Sequence, residues 1–147
     1  MIMADVTNSK LHDIDAGIVD ELEKGALQVL DQHAVKKIIR ITIPGAVEIP
    51  FAIQAYWESC GKKKKPDAFI ALGCVVRGDT PHFEYVCRAV TDGIASLNLQ
   101  LPVPVIFGVL TVDNQEQAVE RTGGKHGHKG EEAADAALKM IAFSRSL

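Results

Sequence analysis

The sequence predicts an α/β protein, a three-layer α/β/α sandwich in which helices cover both faces of a central parallel sheet. Three observations carry this expectation. Apolar runs of strand length alternate with stretches of helical periodicity, the order that right-handed strand–helix–strand crossovers require. Residues 68–76 (AFIALGCVV) form a continuous apolar run, the pattern of a parallel strand buried on both faces. Each predicted strand then stops at a polar or Gly/Pro loop that opens a helix.

Taken in order, Ile18, Leu22, Ala26, Val29 and Leu30 recur near helical spacing. With Asp13 or Asp15 as N-cap, they predict a first helix ending near His33. Residues 37–43 (KIIRITI) are rich in β-branched side chains and end at Pro44 and Gly45, so they read as a short buried strand. A helix is expected over 49–59, then the strand at 68–76. The loop Arg77, Gly78, Asp79, Thr80 follows, and Pro81 suits the first turn of the next helix. Its apolar face is Val86, Ala89, Val90, Gly93, Ile94 and Leu97. Residues 103–112 form the third strand, Asp113 or Asn114 caps a helix to about Arg121, the glycine-rich stretch 123–130 breaks it, and 133–143 form the last helix. Three strands offer little area for so many helices. Residues 5–13 (DVTNSKLHD) are too polar for a central parallel strand, so residues 1–15 read as an atypical segment and a strand is missing there.

The 147 residues suit one domain with one core, and 47% hydrophobic with 24% charged residues is the composition of a globular protein. Sixteen Lys and Arg against nineteen Asp and Glu leave a net charge of −3, which argues against a nucleic-acid or anionic-membrane binder. The run Lys62 to Lys65 reads as a solvated loop. Cys60, Cys74 and Cys87 are odd in number and lack a C-x-x-C pairing, so they are expected as reduced thiols. Without a basic-then-apolar leader or an apolar stretch of bilayer length, the expected location is the cytoplasm.

Ligands of open α/β sheets bind beyond the carboxyl ends of the strands, which directs attention to residues 44–50, 77–82 and 111–114. Gly78, Asp79 and Thr80 lead into a helix whose free N–H groups and positive dipole end favour an anion such as phosphate. The same residues equally fit plain helix capping. His82 lies in that first helical turn, where the dipole favours a neutral imidazole able to accept a proton; a surface histidine is the alternative. Glu48 either accepts hydrogen bonds from a polyol or supports the N-terminus of its helix. His126 and His128 form an H-x-H pair, but no carboxylate or thiolate cluster completes a zinc set, so no metal site is expected.

Four strings occur together: PGAVEIP (44–50), ALGCVVRGDTPHFEYVC (71–87), PVIFGVLTVDNQEQAVER (104–121) and GGKHGHKGEEAADAAL (123–138). In order and spacing, over about residues 18–138, the sequence resembles the lumazine synthase family. The resemblance implies a flavodoxin-like sheet and an enzyme of riboflavin biosynthesis. Its reaction condenses 5-amino-6-ribitylaminouracil with 3,4-dihydroxy-2-butanone 4-phosphate to 6,7-dimethyl-8-ribityllumazine, releasing phosphate and water without cofactor or metal. It implies His82 as the proton-transfer residue. Asp79, Thr80 and Arg121 would hold the phosphate, with Lys129 nearby. Ala46, Val47 and Glu48 would line the ribityl and pyrimidine site, Cys74, Val75 and Val76 would hold the pyrimidine by backbone atoms, and Phe107 would contact the heterocycle. It further implies a homopentamer with sites between neighbours, Phe107 and Arg121 arriving across the interface. A 60-subunit shell is favoured by the loop Gly123 to Gly127, with riboflavin synthase as the plausible partner enzyme.

Four positions depart from the family pattern. The family's first strand ends in an aromatic residue and an asparagine; spacing places Ile14 and Asp15 there. Val47 occupies a position that is commonly aromatic, and His128 replaces an asparagine before Lys129. A shell-forming or flavin-binding relative with weak or no catalysis is therefore the rival reading, and an archaeal-type riboflavin synthase acting on two lumazines is a third. The retention of His82, Glu48 and Arg121 argues for the enzyme.

Overall fold

The computed structural model describes residues 2–6, 13–61 and 65–147, of which 2–6 and 13–16 are given by their backbone. Four parallel strands form the sheet: β1 (Ile2–Val6), β2 (Ile39–Ile43), β3 (Phe69–Val76) and β4 (Val105–Val112), in the order β2-β1-β3-β4. Helices α1 (Asp13–Gln32), α2 (Ile49–Ser59), α3 (His82–Gln100), α4 (Gln115–Val119) and α5 (Lys129–Ser146) connect and follow them. A small antiparallel hairpin, β5 (Thr122–Gly124) with β6 (Gly127–His128), joins α4 to α5.

The apolar run of β3 divides by alternation, as period-two side chains must. Ile70 and Leu72 face Leu22, Ala26 and Leu30 of α1 and Ala133, Ala134 and Ala137 of α5. Phe69 and Ala71 face Ile49 and Ile53 of α2 and Val90, Ile94 and Leu97 of α3. The expected three layers are thus present, each face of the sheet closed by two long helices. Tyr56 and Trp57 of α2 meet Phe69 edge-on, both with ring centroids 6.4 Å away.

The expectation that no strand precedes the first helix is overturned. Residues 2–6 (IMADV) form the central strand, in register with β2 from Ile2↔Ile39 to Val6↔Ile43 and with β3 from Ile2↔Phe69 to Asp5↔Leu72. The strand uses the apolar residues ahead of the polar stretch and ends one residue past Asp5. Ile14 and Asp15, assigned by spacing to the end of that strand, instead lie in the first turn of α1. The last helix is also longer than periodicity suggests, starting at Lys129 rather than at residue 133. Glu131 and Glu132 suit its first turn. Gly130 is required because a Cβ there would meet the Leu22 carbonyl oxygen at 1.9 Å, so α1 and α5 pack in backbone contact.

The strands are unequal at their carboxyl ends. The β1–β3 ladder stops at Leu72, while the β3–β4 ladder continues to Val76↔Val112. β1 ends at Val6, level with Gly73, so at about 3.3 Å per residue β3 and β4 overrun it by roughly 10 Å. The sheet therefore has a step at this end, and the loops after β2 and β3 surround it.

Candidate active site

A cavity of about 530 Å3 occupies the step. One wall is the turn after β2, Gly45, Ala46, Val47 and Glu48; the opposite wall is the overrunning end of β3, Cys74, Val75 and Val76. His82 and Val86 of α3 and Val19 of α1 complete it. Seven residues named from the sequence, Ala46, Val47, Glu48, Cys74, Val75, Val76 and His82, are thus brought together. Gly45, Val19 and Val86 were not foreseen.

Each wall has a local cause. Pro44 and Gly45 stop β2, residues Ala46–Glu48 form a single 3-10 turn, and Pro50 at the second position of α2 fixes the helix start. Ala46 is buried under the turn, while Val47 is 44% exposed and Glu48 is exposed to the cavity. Gly45 gives the Glu48 carboxylate its space, since a Cβ there would lie 2.6 Å from Oε2.

The α3 start is held by a device absent from the sequence reading. Arg77, the first residue after β3, donates from Nε to Asp113 Oδ1 at 2.7 Å and pairs through Nη1 with Glu84 of α3. Its guanidinium lies 4.2 Å over the Phe83 ring. One arginine therefore ties the β3–α3 loop to the end of β4. The Glu84 carboxyl is held below the usual carboxylate range by its hydrogen bond from Arg77, and the Arg77 guanidinium is raised in turn, chiefly by Glu84. The signal was legible as an arginine directly after a strand with a glutamate seven residues on. Thr80 Oγ1 accepts a long 3.4 Å hydrogen bond from the His82 N–H, so Thr80 caps in part. Asp79 and Thr80 lie exposed in the same loop, outside the cavity lining.

Phe107, Arg121 and Lys129 do not join His82 within one chain. Phe107, 40% exposed on the edge strand β4, lines a separate groove of about 280 Å3 with Lys129 and Glu132. Arg121 adjoins this groove: its carbonyl accepts from the Lys129 N–H at 2.8 Å, and its Nη1 donates to the Gln117 carbonyl at 2.8 Å. Asn114 caps α4 by accepting from the Gln117 N–H at 3.0 Å. Lys129 Nζ pairs with Glu132 at 2.8 Å.

The two histidines of the glycine-rich stretch diverge. His126 approaches Glu120 at 3.5 Å. His128 turns its ring onto α1 at Gly25, where a Cβ would lie 2.1 Å from Cε1, and its Nδ1 is buried with no hydrogen-bond partner among the described residues. Among the described residues, no group of three His, Cys, Asp or Glu is placed to hold a metal ion.

Comparison with known proteins adds an independent finding. The family described as 6,7-dimethyl-8-ribityllumazine synthase matches residues 13–145. The 6,7-dimethyl-8-ribityllumazine synthase of Cytophaga hutchinsonii is 51% identical over 127 residues, 85% of this chain and 77% of that protein. The protein of the same name from Porphyromonas gingivalis is 52% identical over 130 residues, covering 87% and 78%. That of Parabacteroides distasonis is 48% identical over 129 residues, covering 86% and 78%.

Proposed function

This chain belongs to the 6,7-dimethyl-8-ribityllumazine synthase family, and from that premise we propose how its two separated half-sites carry out the condensation. The enzyme is a transferase of riboflavin biosynthesis. It joins 5-amino-6-ribitylaminouracil to 3,4-dihydroxy-2-butanone 4-phosphate, giving 6,7-dimethyl-8-ribityllumazine, phosphate and water. The amine attacks the ketone to form an imine, phosphate leaves, and a second condensation closes the ring.

The observation that most supports these roles is the step cavity, with a carboxylate, a strand end and an imidazole around one space. The pyrimidine lies along the backbone of Cys74, Val75 and Val76, beyond the point where β1 pairs with β3. Its ribityl chain is taken by Ala46, Val47 and Glu48, the carboxylate accepting from hydroxyls. His82 moves protons, and the N–H groups of Asp79 and Thr80 receive the phosphate at the start of α3. Most of the acceleration comes from holding two substrates that also react unaided, with acid–base help from His82 added.

The second half-site is the β4 edge. Phe107 to stack on the heterocycle, Arg121 to clamp the phosphate and Lys129 beside it come from a neighbouring copy. Exposed apolar side chains on the helices beside the first cavity, Phe51 of α2 at 77% and Tyr85 of α3 at 72%, support a surface that a neighbouring copy covers. Head-to-tail repetition closes a pentamer, and the 60-subunit shell is its higher assembly. The enzyme works in the cytoplasm, where riboflavin synthase consumes the lumazine.

The test is the condensation assay, with the spontaneous rate subtracted. His82→Ala is expected to be impaired but active, and Arg121→Ala to lose mainly affinity for the butanone phosphate; a fully inactive His82→Ala refutes that division. Co-assembly of the two variants restores intact sites at about a quarter of interfaces if each site spans two chains. Activity no higher than the mean of the parents refutes the shared site. A wild-type rate equal to background in an assembled preparation would favour the non-catalytic shell relative.

A further inference from the structure

At the amino ends of the strands, the rim opposite the condensation site, lies a second cavity of about 540 Å3. It is built from three segments: the turn between α1 and β2, the loop before β3, and the last turns of α5. Its floor is apolar, with Val35, Ile39, Leu138 and Ile141, and its rim carries Lys36, Lys37, Lys65 and Arg145. Asp67 is the one acidic residue of the lining and pairs with Arg145 at 3.0 Å. Lys36 joins no ion pair among the described residues.

A bland reading assigns these cations to the helix carboxyl ends, since α1 and α5 finish at this cavity. The magnitudes decide against it. Each helix end carries roughly half a negative charge, so two ends neutralise about one of the surplus. Leaving Lys37 aside, since it has an interaction of its own, Lys36, Lys65 and Arg145 against Asp67 leave a surplus of two, and a positive field remains over an apolar floor. The volume lies within the ordinary range for small-molecule sites. The turn before β2 is fixed rather than loose: Val35 N–H donates to the Leu30 carbonyl at 3.0 Å and Ala34 N–H to Asp31 at 2.9 Å, a double-bonded helix end that presents Lys36 at the rim.

We infer that this cleft is a second small-molecule site that takes an organic phosphate, its anionic head against Lys36, Lys65 and Arg145 and its apolar body on Val35, Ile39, Leu138 and Ile141. The lysine run at 62–65, which plays no part in the condensation, gains a role through Lys65. Four-carbon butanone phosphate fits poorly, because it lacks the apolar body that the floor would cover.

The molecule contains its own reporter. Trp57 is the single tryptophan, and Lys65 Nζ lies 3.6 Å from its ring centroid. A phosphate that draws Lys65 toward itself changes that contact, and with it Trp57 emission. The probes are phenyl phosphate, inorganic phosphate and phenol, titrated into the assembled protein and followed by emission and calorimetry. Phenyl phosphate is expected to saturate and to bind more tightly than either fragment. The response should persist in Arg121→Ala, which weakens the catalytic phosphate site, and fall about tenfold in affinity in Lys36→Ala/Arg145→Ala, which leave Trp57 and Lys65 in place. Absence of saturable emission change and heat overturns the inference. So does a response lost in Arg121→Ala but kept in Lys36→Ala/Arg145→Ala, which places the phosphate in the condensation site, or phenol binding as well as phenyl phosphate. Condensation activity in the same preparations separates the two proposals, because Lys36→Ala/Arg145→Ala are expected to leave it unchanged.

Discussion

Replacing Gly25 by alanine puts two opposing effects on one residue. Gly25 lies within α1, where Gly→Ala alone contributes about 0.5–1 kcal/mol of helix stability. Against this, the new Cβ would lie 2.1, 2.4 and 2.6 Å from Cε1, Nδ1 and Nε2 of His128. All three are far inside van der Waals contact, and the ring, a rigid plane wedged between α1 and the β6–α5 junction, must leave its place. Overpacking of this kind costs about 1–3 kcal/mol, so the net loss is about 1–2 kcal/mol. For a chain of this size that lowers the melting temperature by roughly 2–8 °C. The assay is thermal unfolding of four proteins at one concentration: wild type, Gly25→Ala, His128→Ala and the double variant. Removing the ring abolishes the clash, so the double variant should be more stable than the sum of the singles predicts, with a coupling of about 1–3 kcal/mol. A Gly25→Ala protein that melts higher than wild type, or strictly additive effects, would refute the close packing.

Ala34 adopts a left-handed conformation, φ 52°, at the helix-ending position where glycine is preferred. Ala34→Gly is therefore expected to stabilise by about 0.5–1 kcal/mol, read as a higher denaturant midpoint at unchanged slope. Gly45→Ala displaces the Glu48 carboxylate and is expected to raise KM for the ribitylaminouracil about tenfold, with a smaller change in kcat; equal loss in both parameters would contradict a ground-state binding role. The Arg77 pair gives a pH signature. The Glu84 carboxyl is depressed in the folded state, so its contribution is present above the unfolded value near 4.3 and is lost as pH falls through the folded value. The melting difference between wild type and Arg77→Ala should accordingly be larger at pH 7 than at pH 3; a difference independent of pH would discard the pair as its source.

The sequence made the buried strands and the cavity walls legible because both depend on local signals. Residues 68–76 announce a doubly covered strand by continuous apolarity, and Ile49–Ser59 starts after Pro44 and Gly45 as turn chemistry requires. β1 escaped because five residues containing an aspartate carry too little pattern, and a central strand is defined by partners far away in sequence. The start of α5 escaped because Gly130 reads locally as a breaker, while its reason is contact with the Leu22 backbone in another helix. The cleft at the opposite rim was hidden for the same reason: Lys36, Lys65 and Arg145 come together only through the fold.

The central position of β1 also orders events in time. In the sheet β2-β1-β3-β4, β2 has β1 as its one neighbour among the described residues, so five residues connect it to the rest. Those residues leave the ribosome before both of their partners, which begin at Ile39 and Phe69, and cannot complete the sheet until β3 has followed. Closing such distant pairings is entropically slow. The turn that carries Glu48 follows β2, so this wall of the cavity is secured to the rest of the sheet only once β1 has paired on both sides.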